Sequence, residues 1–206
     1  MRYRAVIFDL GGVVVGSPLE AIAAYERSLG IPAGFINRVV VATGPAGAWS
    51  RLERGELTLE AFYPAFERDC ATAGCSIAAR ALMASVAAAT VPRPAMLEAI
   101  RRIRAAGLAA AALTNNWITE DAGAGALRPH FDVFVESATL GLRKPDPRIF
   151  VRACEELRVA PAEAVFLDDI GANLKAARAL GMTTIKVVEP AVALAELAEL
   201  LGFPLG

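Results

Sequence analysis

Short apolar runs that stop abruptly at polar clusters alternate, over most of this chain, with longer stretches whose apolar positions recur every three or four residues. The first run, Ala5–Phe8, ends at Asp9 and, one residue on, the pair Gly11-Gly12. Runs over 108–113 and 164–167 give way to Thr114-Asn115-Asn116 and to Asp168-Asp169, while 133–135 follows Phe131-Asp132 and a last run covers 183–188. Each reads as a buried strand with a polar loop at its end. Helical patterns fill the intervals at 94–106, Pro147–Leu157, 171–180 and Pro190–Leu201, with proline at several starts and Gly107 and Gly181 closing two of them.

Strands alternating with helices of about a dozen residues predict right-handed crossovers, hence an α/β fold with a mainly parallel sheet and helices on both faces. Ligands of such sheets bind beyond the carboxyl ends of the strands. The polar clusters after Phe8, Leu113 and Leu167 all belong at those ends. The segment 18–90 breaks the alternation, with helical periodicity at 19–29, 59–70 and 77–89 and no convincing strand. It predicts a small all-helical insertion after the first strand, sitting above the same strand ends. The expected organisation is a core of 1–17 and 91–206 and a helical cap of 18–90.

Composition narrows the function classes. The 206 residues suffice for one α/β domain with a modest insertion. With 21 basic and 22 acidic residues spread along the chain, there is no basic stripe for a nucleic-acid backbone. The mean hydropathy is positive, yet the longest apolar stretches, near 81–92 and 105–113, fall short of the ~20 residues of a spanning helix. No basic-then-apolar leader is expected, because 1–9 already reads as a strand with a polar end. These features predict a soluble cytoplasmic protein that binds neither nucleic acid nor membrane, and leave its oligomeric state open. Cys70, Cys75 and Cys154 have no Cys-x-x-Cys or zinc spacing and read as incidental or buried thiols. His130, the one histidine, reads as a loop residue, with no Gly-x-Ser-x-Gly elbow to recruit it.

Taken singly, a carboxylate after a strand is a turn or cap residue. Taken together, one carboxylate, a hydroxyl with nearby amides, a lysine and a paired carboxylate on one sheet edge are what phosphoryl transfer needs. In order along the chain stand Phe8-Asp9-Leu10-Gly11-Gly12-Val13, then Leu113-Thr114-Asn115, then Lys144 within Gly141-Leu142-Arg143-Lys144-Pro145-Asp146-Pro147, then Phe166-Leu167-Asp168-Asp169-Ile170-Gly171-Ala172-Asn173. This set resembles the four motifs of the haloacid dehalogenase-like hydrolases. The last two strings look like the branch containing the N-terminal phosphatase domain of soluble epoxide hydrolase.

The resemblance implies a Rossmannoid core and a Mg2+-dependent hydrolase acting on a small phosphorylated substrate. It makes Asp9 the nucleophile that forms an aspartyl-phosphate, and Lys144 the cation that neutralises nucleophile and phosphate. Thr114, the Asn115 amide and Gly12 are placed with the phosphate. The metal is assigned to Asp9, the Gly11 carbonyl and a motif-four acid, Asp169 ahead of Asp168, an all-oxygen set suited to Mg2+. Asn173 either orients the acidic loop or caps the helix after it. Asn37, Trp49 and Arg51 of the insertion either face the substrate or simply pack.

One position departs from the family. Active phosphatases usually carry a second Asp two residues after the nucleophile, where this chain has Gly11. General acid-base help contributes about 10² to 10⁴ in rate. Three readings follow: a phosphatase whose acid is replaced by other groups or water, a dehalogenase-type hydrolase, and a non-catalytic binder of phosphorylated ligands. The first leads, and the acidic pair argues against the second, because Mg2+ has no essential part in displacing a halide.

Overall fold

The computed structural model describes residues 2–119 and 123–206, so Met1, counted above with the first strand, lies outside the described residues. Five strands, β1 Ala5–Phe8, β2 Ala109–Thr114, β3 Val133–Glu136, β4 Ala164–Asp168 and β5 Thr183–Lys186, form one parallel sheet in the order β3-β2-β1-β4-β5. The chain builds outward from β1 on one side and then returns to build outward on the other. β1 therefore sits where the strand order reverses, which is where α/β sheets open a crevice.

Alternation along the strands decides which helix each residue meets. Val6, Phe8, Ala110, Ala112, Val165 and Leu167 belong to one buried cluster with α6 (Pro94–Ala105) and α10 (Pro190–Leu201). Ala5, Ile7, Ala111, Leu113, Ala164 and Phe166 belong to a second, with α8 (Pro147–Leu157) and α9 (Gly171–Ala179). Both faces being covered, the central strands are apolar at nearly every position, as the runs in the sequence anticipate.

Five helices lie between β1 and α6: α1 Pro18–Leu29, α2 Phe35–Thr43, α3 Ala48–Glu53, α4 Leu59–Thr72 and α5 Ala79–Ala89. They form a cap around a third core, in which the Phe62 and Phe66 rings stack at 5.2 Å and Trp49 packs edge-on against both at 5.8 and 5.3 Å. Two of these helices, α2 and α3, were not among the sequence expectations. Both follow glycines, Gly34 and Gly47, which offer no capping side chain; their first N–H groups are met instead from afar, Ile36 by Glu26 and Ala48 by Asp69, so the usual local start signal is missing. The chain enters and leaves the cap side by side, through a bridge between Val15 and Pro92 and a hydrogen bond from Gly16 N–H to the Val91 carbonyl at 3.0 Å. β5 also stops at Lys186, two residues before the expected end, where Val188 is 76% exposed and has no face to cover. A four-residue helix, α7 Ser137–Leu140, follows β3 directly. Among the described residues no helix is long and apolar enough to cross a membrane.

Candidate active site

Register brings the chemistry together. Phe8 lies opposite Ala112 of β2 and Leu167 of β4, so Asp9, Thr114 and Asp168 reach the carboxyl edge side by side. Carboxylate oxygens of Asp9, Asp168 and Asp169 lie within 4.8 Å of one another. Lys144 is 1% exposed, and its Nζ stands 2.8 Å from Asp9 Oδ1 and 2.8 Å from Asp168 Oδ2.

The two acidic neighbours differ. Asp168 is fully buried, and its oxygens accept from Ile170 N–H at 2.7 Å, from Asn173 Nδ2 at 3.0 and 3.2 Å, and from Lys144. Asn173 thus orients the acidic loop. Asp169 is half-buried and lines the cavity. Its carboxylate presses on Gly12, where a Cβ would meet Asp169 Oδ2 at 2.3 Å. Gly12 also has φ +76°, so two constraints demand glycine there. Gly12 does not line the cavity: its N–H donates to the Gly16 carbonyl at 3.1 Å and its own carbonyl accepts from Arg93 Nη1 at 2.9 Å.

Crowded carboxylates titrate abnormally. Burial, opposed by Lys144 and reinforced by Asp168 and Asp169, pushes Asp9 up to about 7. Burial and Asp168 push Asp169 up to about 6. Burial works against the Lys144 charge, but attraction to Asp9 and Asp168 more than offsets it and raises its pKa. The cluster thus carries one cation against three carboxylates and has room for more positive charge. The three carboxylates form a hard-oxygen set that fits Mg2+.

A cavity of about 1130 Å3 separates cap from core, with Asp9, Gly11, Thr114, Asn115, Lys144 and Asp169 on its core side. Asn37 and Trp49 line it from the cap, whereas Arg51 does not and instead pairs with Glu56. The Asn115 carboxamide is occupied by the Lys144 backbone, accepting from its N–H at 2.8 Å and donating to its carbonyl at 3.1 Å. It sets the lysine's position.

Three residues at this junction escaped the sequence reading. Glu53, at the end of α3, pairs with Arg143 and accepts from Trp49 Nε1 at 3.0 Å and Asn115 Nδ2 at 3.5 Å. Arg143 Nη1 also donates to Ser50 Oγ at 3.2 Å. The only trace in the sequence is the four-residue spacing of Trp49 and Glu53, which puts both on one helix face. The cysteines are free, Cys70 and Cys154 being buried. His130 ends a 3-10 segment and its carbonyl accepts from Arg104.

Gly11 has φ −63° and ψ 126°, which any residue can adopt. The space where its side chain would begin is taken by Pro18, whose Cγ would lie 2.9 Å from an added Cβ.

Comparisons with known proteins agree with this architecture. The haloacid dehalogenase-like hydrolase family model matches residues 3–181. The chain is 44% identical to mouse acyl-CoA dehydrogenase family member 10 and 35% identical to pig bifunctional epoxide hydrolase 2, over 98% and 100% of its length. It spans only 20% and 40% of those longer proteins. It is also 26% identical to the sesquiterpene phosphatase astK of Aspergillus oryzae, over 97% of both chains. A family enzyme of Bacteroides thetaiotaomicron, solved with magnesium and inorganic phosphate, shares the fold at TM-score 0.61 and 20% identity, over 89% of this chain and 93% of that one. A matching family model across most of the chain, over a parallel sheet with the acidic cluster at its switch point, makes this protein a member of the haloacid dehalogenase-like hydrolases.

Proposed function

We propose that the protein is a Mg2+-dependent phosphatase that hydrolyses a small phosphate ester through an aspartyl-phosphate on Asp9. The observation that carries this reading is the cluster of Asp9, Asp168 and Asp169 within 4.8 Å, with Lys144 bridging two of them. Asp9 Oδ1 accepts the Leu10 N–H at 2.7 Å and faces Lys144, which leaves Oδ2 for the phosphorus. Its attack forms the acyl-phosphate bond, breaks the bond from phosphorus to the alcohol oxygen, and passes the departing alkoxide a proton from solvent. Water then attacks phosphorus and releases inorganic phosphate and Asp9.

Lys144 stabilises charge on the nucleophile and on the phosphate oxygens as a point cation. Thr114 Oγ1 and the main-chain N–H of Asn115 hold two of those oxygens, the Asn115 side chain being committed to Lys144. Asp9, Asp169 and the Gly11 carbonyl hold the metal, with Asp168 behind them fixing Lys144. When bound, Mg2+ supplies the counter-charge that lets a carboxylate approach a phosphate dianion. The helical segment 18–90 closes over the site during the first displacement and keeps out bulk water, while the cavity retains the water that protonates the alkoxide. Phosphatases among the relatives and the magnesium and phosphate in a neighbour of the same fold support the reading.

A panel of phosphate esters assayed with Mg2+ and with chelator tests it, alongside Asp9→Asn. We expect Mg2+-dependent release of phosphate that falls by more than about 10³-fold in a folded Asp9→Asn protein. Retained turnover in that variant rules out the covalent route. A second reading, a weakly active or inactive protein that binds phosphorylated ligands, is favoured by Pro18 standing where the acid-base carboxylate of this family would project. Tight binding of phosphate with Mg2+ and no turnover on any ester would select it.

A further inference from the structure

Among the described residues two cations line the cavity, Lys144 and Arg143. Lys144 is committed to Asp9 and Asp168. Arg143 stands on the same loop, so its charge would be the natural grip for a second anionic group on a substrate. Glu53 removes that grip. It is the one charged cap residue lining the cavity, it is buried, and it accepts donors from Arg143, Trp49 and Asn115. This is also the one ion pair joining cap to core among the described residues.

Besides Asn37, Ser50 and Thr90, the cap side of the cavity carries apolar side chains, among them Leu19, Ile22, Ile36, Val40 and Val86. Leu19 (44% exposed), Val41 (72%) and Ile118 (69%) bring apolar surface to the same cavity in contact with solvent. Covering such surface yields about 25 cal/mol per Å2. A carboxylate brought here loses hydration, finds no unpaired cation and meets the Glu53 charge.

We infer that Glu53 is a specificity-determining residue. By cancelling Arg143, it restricts the site to monophosphates of uncharged, apolar alcohols and turns away esters that carry a carboxylate. This rests on the phosphatase reading and names the substrate class of the same site.

Ethyl phosphate and phosphoglycolate, which differ by a methyl in place of a carboxylate, isolate the charge, and hexyl phosphate adds apolar length. The wild-type protein with Mg2+ should show kcat/KM in the order hexyl phosphate, ethyl phosphate, phosphoglycolate. Glu53→Gln keeps the volume but frees the Arg143 charge. It should move the ethyl-to-glycolate ratio toward phosphoglycolate by about tenfold or more, chiefly through KM. Adding Arg143→Gln should return the ratio to its wild-type value. Glu53→Asp, which withdraws the carboxylate by one methylene, should give a smaller shift in the same direction and serves if Glu53→Gln does not fold.

An unchanged ratio in a folded variant that still hydrolyses ethyl phosphate overturns the proposal while leaving the phosphatase reading standing. So does a wild-type preference for phosphoglycolate, or hexyl phosphate no better than ethyl phosphate. Titrating propylphosphonate and 3-phosphonopropanoate into the Mg2+ form reads the same ratio as Kd without turnover. If wild type hydrolyses nothing, that Kd ratio and its shift in Glu53→Gln decide alone, and failure to bind either phosphonate overturns both readings.

Discussion

On the core side of the cavity three carboxylates and a lysine crowd onto neighbouring strand ends, and two of those carboxylates are pushed up to about 7 and 6 by burial and by one another. On the cap side the wall is made largely of uncharged side chains, and its single carboxylate, Glu53, is matched to one arginine and two further donors. Burial raises the Glu53 pKa as well, but there the opposing influences come from Arg143 and Trp49, with no like charge among the causes. The core edge keeps repulsion that its lysine does not fully relieve, as expected of groups held for chemistry, whereas the cap meets the Glu53 carboxylate with three donors. The difference predicts opposite responses to mutation: changes on the core edge should trade stability against activity, changes in the cap should alter selectivity.

The largest stability effect belongs to Lys144, because it alone neutralises two buried carboxylates. Lys144→Met keeps the length and removes the charge, and should cost about 3 to 5 kcal/mol at pH 8 together with the activity. The cost should shrink toward pH 5, where Asp9 is protonated and needs less compensation. Urea unfolding in chelator at the two pH values checks this. A loss below about 1 kcal/mol at pH 8, the scale of an exposed ion pair, would mean that the carboxylates are neutral without their lysine.

Next come the paired acids, whose surroundings differ in the structure. Asp168→Ala removes the acceptor for Lys144, Ile170 and Asn173 and should cost on the order of 3 kcal/mol. Asp169→Ala relieves a crowded charge, so in chelator its stability should stay level or rise, while Mg2+ affinity falls by about 10- to 100-fold. Calorimetric titration that shows the greater Mg2+ loss in Asp168→Ala would reverse the assignment of ligand and support.

Protons and Mg2+ should compete for the same edge. Asp9 and Asp169 hold protons in the folded state that the unfolded chain, with carboxylates near 3.8, has already released. Their contribution to apo stability is therefore fully present below about 4 and is lost as pH rises through 6 to 7. The raised Lys144 pKa adds no slope in that window, since lysine is charged throughout it in both states. Mg2+ needs the deprotonated carboxylates, so the gain in Tm on adding Mg2+ should be near zero at pH 5 and reach a few degrees by pH 8. A gain independent of pH would place the metal elsewhere.

How much of this was legible before the structure follows from where the constraints act. The strands and the core helices read clearly because burial on both faces leaves continuous apolar runs and because proline and glycine mark several helix ends. Asp9, Lys144 and the acidic pair read as a group because register places consecutive polar clusters on one edge. Glu53, Ser50 and Arg143 did not, since their meeting depends on how the cap docks, and no local pattern encodes a contact between residues 90 positions apart. Helices α2 and α3 were missed for the related reason that glycines stand at their N-caps and the side chains that do cap them, Glu26 and Asp69, lie far along the chain.

The smallest expected effect concerns Gly11, where cap and core meet beside Asp9. A glycine can be needed for its backbone or for its missing side chain, and the structure separates the two. The angles at Gly11 suit any residue, so Gly11→Asp carries no backbone strain. The obstacle is Pro18, the first residue of α1, whose Cγ and Cδ would lie 2.9 and 3.1 Å from the new Cβ. Gly11→Asp alone should therefore displace the start of the cap and gain little. Gly11→Asp with Pro18→Ala clears the space and should raise hydrolysis of alkyl phosphates, whose alkoxides need a proton, by less than the ~10² at the lower end of general-acid effects. It should do little for p-nitrophenyl phosphate, whose phenolate leaves unaided. The quantity to measure is the alkyl-to-nitrophenyl ratio in each single variant and in the double, so that damage common to both substrates cancels. A ratio that rises only in the double variant makes Pro18 the reason this site works without a built-in acid. A ratio that rises equally in Gly11→Asp alone means that the cap yields at Pro18. No rise in a folded, Mg2+-binding double variant means that proton transfer to the alcohol does not limit the reaction.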